Sequence, residues 1–163
     1  MENVIRVNDV PQTYHKSACG QYEYARRELV QKARDYNLPN RGGCAAAQYE
    51  LPPGKAAYPY HYHMKDEEAY YIVSGKGLLR TPDGESAVSA GEFLFFPAGA
   101  QGAHTLTNAS AGEPLVYLDF DATHDLDVCY YPDSGKVGIW GKGIDVLYRA
   151  EETVGYYGDN EGK

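Results

Sequence analysis

Turn signals recur along this chain at short intervals, and the apolar runs between them are too brief for core helices. The signals are Asn40-Arg41-Gly42-Gly43, Pro52-Pro53-Gly54, Ser74-Gly75-Lys76-Gly77, Pro82-Asp83-Gly84, Ala90-Gly91, Pro97-Ala98-Gly99 and Ala111-Gly112. Proline presets one φ angle and glycine opens the left-handed region, so such clusters end strands and reverse the chain. Short strands at this spacing read as an all-β sandwich or barrel. The clearest are expected at 44–51, 58–64, 68–74, 77–81, 92–96, 104–109 and 114–121, with a further pair at 126–131 and 144–149. Asp83-Gly84 reads as a two-residue hairpin turn. Residues 21–36 are rich in helix formers, but Tyr22, Tyr24, Leu29 and Val30 make no clean helical stripe, so helix and edge strand both stand.

A second pattern bears on chemistry. Residues two apart on an extended strand point to one face, and His61 and His63 stand in that relation, so both imidazoles can reach a single ion. Glu68 lies five residues beyond His63, an odd offset that would turn its carboxylate away on an unbroken strand. A turn or bulge at 64–67 is therefore required. Beyond it Glu68, Tyr70 and Ile72 share one face while Ala69, Tyr71 and Val73 share the other, which makes Glu68 a better ligand candidate than Glu67. The fourth candidate, His104, follows a turn, a short buried strand and a turn over 91–99, and only tertiary folding can bring it in. Three neutral imidazoles and one carboxylate suit zinc, iron, nickel, manganese or copper. Calcium, which takes oxygen ligands, is disfavoured.

At these residues the chain resembles the cupin superfamily. Gly54, His61-Tyr62-His63, Glu68 and Gly75 are similar to the first cupin motif, and Gly91, Pro97, Gly99, His104 and Asn108 to the second. Four residues separate Gly99 from His104 where the family commonly has two, and the interval from Gly54 to His61 is one residue longer than its commonest form. The resemblance implies a double-stranded β-helix (jelly-roll) barrel with one divalent transition metal at its mouth, held by His61, His63, Glu68 and His104, with one or two positions left to water or substrate. A single histidine in a β protein is usually a surface or hydrogen-bonded residue, and it is the four ligand types in two paired motifs that favour the metal.

The resemblance covers about 43–121, with 1–42 as an N-terminal extension packing on the barrel and 122–163 as C-terminal strands and tail. One domain accounts for 163 residues. The formal charge of −8 argues against phosphate backbones and anionic membranes as partners. The basic residues Arg26, Arg27, Lys32, Arg34 and Arg41 read as a solvated face. No run approaches a membrane span and the first residues lack signal-peptide character, so a cytoplasmic location is expected. Cys19, Cys44 and Cys129 are odd in number and unpaired in spacing, which fits reduced thiols; Cys44 and Cys129 fall in predicted strands from which a thiol could approach the metal. His15 and His124 lie outside the motifs as expected surface residues. Sixteen tyrosines, against four phenylalanines, suit a barrel mouth and interfaces, and Tyr156-Tyr157 in the tail reads as a cover for the barrel or a neighbouring subunit. Many small cupins are dimers, and a homodimer is expected.

The leading functional expectation is a metal-dependent enzyme on a small oxygen-rich molecule, either a sugar or sugar-phosphate isomerase or a dioxygenase. Tyr70, on the face of Glu68, and Gln101, in the enlarged loop, are the expected substrate contacts, while Tyr62 should face away and Tyr60 stays unoriented. A phosphate would call on Lys65, Lys76 or Arg80, the nearest basic residues in sequence. The alternative is a non-catalytic cupin that binds or senses a small ligand. A purely structural metal is disfavoured, since such sites favour cysteine.

Overall fold

Alternation decides the architecture. In the computed structural model, which describes residues 4–30, 43–141 and 143–157, Tyr70 and Ile72 are buried while Tyr71 and Val73 face out, and Ala45, Ala47, Tyr49 and Leu51 are buried while Cys44 and Glu50 are exposed. Thirteen strands follow in chain order among those residues: β1 (Gln12–Lys16), β2 (Glu23–Val30), β3 (Cys44–Leu51), β4 (Tyr62–His63), β5 (Glu67–Ser74), β6 (Lys76–Thr81), β7 (Gly84–Ser89), β8 (Phe93–Phe96), β9 (Thr105–Asn108), β10 (Leu115–Ala122), β11 (Leu126–Tyr131), β12 (Lys136–Gly141) and β13 (Ile144–Arg149). Short 3-10 turns occupy Val7–Asp9, Ala100–Gly102 and Pro132–Ser134. No helix among the described residues is long and apolar enough to cross a membrane.

The strands form a six-stranded sheet in the order β1-β2-β3-β10-β5-β8, a four-stranded sheet β13-β12-β11-β4 and a three-stranded sheet β7-β6-β9. Every ladder is antiparallel. This is the jelly-roll expected for the chain. The core lies where the inner face of β3, β10, β5 and β8 meets β6, β7 and β9: Tyr49, Leu51, Ile72, Phe96, Leu115 and Tyr117 pack against Leu79, Val88 and Leu106. Leu51, Ile72 and Leu115 are fully sealed, each side chain contributing about 1.5–3 kcal/mol by leaving water.

Several boundaries moved for identifiable reasons. Of the strand expected at 58–64, only Tyr62 and His63 join a ladder, with β11, and His61 makes an isolated bridge to His104. Pro59 has no N–H to give a ladder. In the β6–β7 hairpin Thr81 pairs with Gly84, so the two-residue loop is Pro82-Asp83 rather than Asp83-Gly84, and Gly84, at φ +116°, opens β7. The undecided segment is strand where it is described, β2, paired with β1 and β3, and its residues 31–36 lie outside the described residues, as do Lys32, Arg34 and Arg41. Strands β1, β7 and β12 were not among the clear signals. In β7 only Val88 is buried, and β12 holds two glycines, Gly138 and Gly141, that dilute its pattern.

Leu115→Ala should lower unfolding stability by about 2–5 kcal/mol, since the cavity adds to the lost transfer term. Leu78→Ala, on the exposed face of β6, should cost under about 1 kcal/mol. Urea titrations followed by circular dichroism check both, and equal losses would refute this placement of the core.

Candidate metal centre

His61 and His104 meet as a cross-strand pair. The His61 N–H donates to the His104 carbonyl at 3.1 Å and the His104 N–H to the His61 carbonyl at 2.8 Å, which sets the two rings 4.8 Å apart on one face. His63, two residues on, shares that face and is locked by pairing with Cys129 of β11. The chain then breaks step over Met64–Asp66, the required turn, and β5 brings Glu68 in from the six-stranded sheet. Glu68 Oε2 stands 3.2 Å from His104 Nε2, 3.6 Å from His61 Nε2 and 3.8 Å from His63 Nε2. The structure therefore gathers all four residues singled out by spacing around one carboxylate oxygen.

The other ring nitrogens define what this gathering can bind. His61 Nδ1 lies 2.8 Å from the Pro59 carbonyl, His104 Nδ1 2.9 Å from the Gly102 carbonyl and His63 Nδ1 2.5 Å from Asp127 Oδ2. Each of these acceptors draws the ring hydrogen to Nδ1, which leaves the inward Nε2 as a lone pair. Glu68 Oε2 is itself buried with no hydrogen-bond partner. Three nitrogen lone pairs and an orphaned carboxylate oxygen converge, and such a set is satisfied by a cation of borderline softness. The donor set fits a divalent transition metal.

Electrostatics agrees with that fit. Burial works against the Glu68 charge, yet the imidazoles around it, His61 foremost, outweigh burial and hold the carboxyl well below its ordinary range. Burial pulls the His104 pKa down to about 4 against the field of Glu68, so this ring is neutral near neutral pH, as a ligand must be. Tyr70, buried beside Glu68, has its phenol pushed well above the usual value, by burial first and then by that carboxylate.

The enlarged loop between Gly99 and His104 is a single 3-10 turn at Ala100–Gly102. A Cβ at Gly102 would fall 1.8 Å from the Pro97 carbonyl oxygen, so glycine alone lets the turn sit this close and present its carbonyl to His104. The turn thus supplies a support for His104. Gln101 is exposed on that turn and has no described contact with the four residues. Tyr70 is 3% exposed and its hydroxyl lies 3.0 Å from His104 Nε2. Tyr62 faces away and stacks on Tyr130 at 5.2 Å. Arg80 is engaged elsewhere, with both guanidinium nitrogens on Asp133 at 2.6 and 2.9 Å and the group over the Tyr60 ring. His15 is exposed and stacked on Tyr24, whereas His124 holds Asp66 through its backbone N–H at 2.8 Å and lies 3.0 Å from the same oxygen through Nδ1.

Asp127 and Tyr131 lay beyond the reach of spacing, while Cys129, expected as a thiol that could approach the site, stands beside it. Asp127 takes His63 on Oδ2 and the backbone N–H groups of Lys65 and Asp66 on Oδ1 at 2.8 and 3.3 Å, so one carboxylate fixes His63 and the turn behind it. Cys129 is buried, with its sulfur within 4.8 Å of ligand nitrogens of His61 and His63, while Cys44 is exposed. Tyr131 stacks on His61 at 5.8 Å. An Asp-x-Cys-x-Tyr alternation over 127–131 was a signal in plain view. Nothing in the linear sequence tied it to His63.

Comparison with known proteins follows the geometry. Residues 47–121 match the Cupin domain family. No curated protein matches the sequence. Among solved structures, one from Acidithiobacillus ferrooxidans, provisionally named a sugar phosphate isomerase, superposes with a TM-score of 0.75 at 24% identity, covering 90% of each chain. A sugar phosphate isomerase of the cupin superfamily from Silicibacter pomeroyi gives 0.76 at 17% identity, over 92% of this chain and 94% of that one. A Thermotoga maritima protein provisionally named an oxalate decarboxylase gives 0.61 at 23% identity, over 74% of this chain and 99% of that one. At these identities the superpositions speak for the fold. The family match runs from within β3 to within β10, and the superpositions share the fold of that region and of the strands around it.

Proposed function

We propose that the protein is a metal-dependent enzyme acting on a small oxygen-rich molecule, with His61, His63, Glu68 and His104 as the ligands of one divalent transition metal such as zinc, iron, manganese or nickel. The observation that carries this reading is the buried, unpartnered Glu68 Oε2 amid three Nε2 atoms whose rings are anchored through Nδ1. When bound, such an ion supplies Lewis acidity toward a carbonyl or hydroxyl oxygen. The chain supplies the rest. Phe96, stacked on His104 at 3.6 Å, and Tyr131, stacked on His61, wall the rings from water and hold their planes. Tyr70 keeps its proton, which it gives to His104 Nε2 here, and is proposed to turn that donor to a substrate oxygen, not to act as a base, when a metal takes the nitrogen. Gln101, on the exposed turn, is proposed to meet the distal part of the substrate.

The reaction class that agrees with the names of the similar structures is isomerisation of a sugar or sugar phosphate. Oxygenation of a small organic acid stands beside it where the native metal is iron. Arg80, engaged with Asp133, is not available as a phosphate anchor without breaking that pair. The alternative is a binding or sensing cupin whose metal anchors a ligand without turnover. Cysteines that form no disulfide among the described residues suit the reducing cytoplasm, where we place the protein.

Elemental analysis of the purified protein should give one transition metal per chain, and His61→Ala combined with His104→Ala should abolish it; full metal in that variant overturns the ligand assignment. Turnover of sugars, sugar phosphates or small carboxylates, assayed with and without dioxygen uptake, separates enzyme from binder. Asp127→Asn should weaken metal affinity about 10–100-fold, because His63 loses its anchoring carboxylate while the fold is kept. Competition with a chromogenic chelator reads this, and unchanged affinity would refute the role. Chelation should lower the melting temperature by roughly 5–10 °C if free metal had stood near 100 times its dissociation constant. Calorimetry before and after metal removal checks it, and an unchanged melting temperature would refute the coupling.

A further inference from the structure

Arg26, expected with Arg27 on a solvated face, points into the barrel instead. It pairs across the β2–β3 ladder with the buried Tyr49, and its guanidinium lies over that ring at 5.4 Å. Only 26% of its side chain is exposed. Nη2 reaches the exposed Glu28 at 3.4 Å, longer than an ordinary N–H···O bond, while Nε is buried and has no hydrogen-bond partner. The inner face of the six-stranded sheet therefore holds two orphans of opposite kind, an acceptor in Glu68 Oε2 and a donor in Arg26 Nε. A buried polar group left unpaired is costly, so each calls for a partner from outside the chain.

We propose that Arg26 anchors an oxyanion of the substrate, a carboxylate or a phosphate, while hydroxyl or carbonyl oxygens at the other end of the same molecule meet the metal. This rests on the metal-dependent reading and narrows it from any oxygen-rich molecule to an acidic one. A guanidinium offers Nε and an Nη side by side, a fork that fits two oxygens of either group. The long contact to Glu28 lies at the surface, so an incoming anion displaces it at little cost. Arg27 and Arg80 are not placed for the task, since Arg27 holds the Val10 carbonyl and Arg80 holds Asp133. Strand order sets β3 and β10 between β2 and β5, so the guanidinium and Glu68 are separated by three strand spacings of about 4.8 Å, which two inward side chains shorten to the span of a small molecule. Asp119 of β10 lies between them, with an oxygen within 4.8 Å of those of Glu68 and Asp121, and its charge acts on Arg26 as well. These carboxylates oppose an anion beside Glu68, which puts the acidic group at the Arg26 end, and they suit hydroxyl donors in the middle of the substrate. A hydroxy acid or a sugar phosphate meets all three demands.

The test uses the full chain, its metal content measured alongside, and three probes of similar size: gluconate, glucose 6-phosphate and the neutral sorbitol. Calorimetry should show at least one anion binding about 10–100-fold more tightly than sorbitol, and Arg26→Gln should remove that preference with circular dichroism and metal content unchanged. Arg26→Lys, which keeps a cation over Tyr49 without the fork, should restore only part of it. Preference for gluconate alone identifies a carboxylate, and for glucose 6-phosphate alone a phosphate. Phenylglyoxal labelling of the wild-type protein needs no variant: the preferred anion should slow modification of Arg26, read by mass spectrometry, and leave the exposed Arg149 unchanged. Equal binding of all three probes, binding of none, an anion preference that survives Arg26→Gln, or Arg26 labelling indifferent to both anions would each overturn the anchor. A chain without transition metal that still shows the Arg26-dependent preference overturns the metal reading and supports the anchor, whereas one metal per chain with no anion preference does the reverse.

Discussion

The site rests on a carboxylate that the fold should not tolerate alone. Burying an unpaired carboxylate costs several kcal/mol, and Glu68 Oε2 is buried without a hydrogen bond. Its three nearest nitrogens cannot all relieve it as neutral rings, because their hydrogens are drawn outward to Pro59, Gly102 and Asp127. Positive charge must therefore come from a proton shared among the rings or from a cation of outside origin. The anchoring oxygens favour the cation, since they orient all three lone pairs before anything binds. That order of events, support first and ligand second, is what a preorganised metal site requires.

The support extends past the region that matches the family. Strand β4 is only two residues long and gains its ladder from β11, so the geometry at His63 is set by a sheet that begins at Leu126. Asp127 tightens the dependence, since the oxygen that does not meet His63 accepts the N–H groups of the turn leading into Glu68. The phase change between His63 and Glu68, without which the carboxylate would point outward, is thus held by a residue about 60 positions downstream. Asp66 repeats the device on a smaller scale by accepting the His124 N–H, which draws the β10–β11 connection against the same turn. The C-terminal strands act on His63 and on the turn before Glu68 through hydrogen bonds, and the aromatic cover over His61 comes from Tyr131.

How much of this the sequence disclosed follows from how local each cause is. The period-two burial of β5, the broken step before Glu68 and the pairing of His61 with His63 on one face are properties of a few consecutive residues, and all of them appear in the structure. The approach of His104 rested on the motif resemblance, because a bridge between residues 61 and 104 has no local signature. Asp127 was invisible for the same reason without a motif to help, and Cys129 was legible only as a thiol in a predicted strand. The loop before His104 shows a subtler failure. Reading it for side chains drew attention to Gln101, whereas the residue that touches His104 is Gly102, through a carbonyl that every amino acid possesses. What is special about Gly102 is the side chain it lacks, and that becomes meaningful only once Pro97 is seen beneath it.

The tyrosine excess takes on a purpose at the same level. Tyr49 stacks on Tyr117 at 5.2 Å, Tyr117 meets Tyr70 at 4.8 Å, and the Tyr70 hydroxyl reaches His104. On the other side Tyr49 shares a 2.8 Å hydrogen bond with Tyr58, whose hydroxyl stands 3.5 Å from that of Tyr24. Phenylalanine at these positions would fill similar volume but leave His104 with no polar neighbour below it. Buried phenols need partners, which Tyr70 finds in His104 and Tyr49, Tyr58 and Tyr24 find in one another, while ring contacts through Tyr117 join the two groups and Tyr24 stacks on the exposed His15. The cavity that remains beneath the histidines, lined by Tyr58, Tyr70, Leu106 and Tyr117 among others, is correspondingly small. An interior so filled leaves little room below the histidines, and it ties their orientation to the packing of the whole barrel.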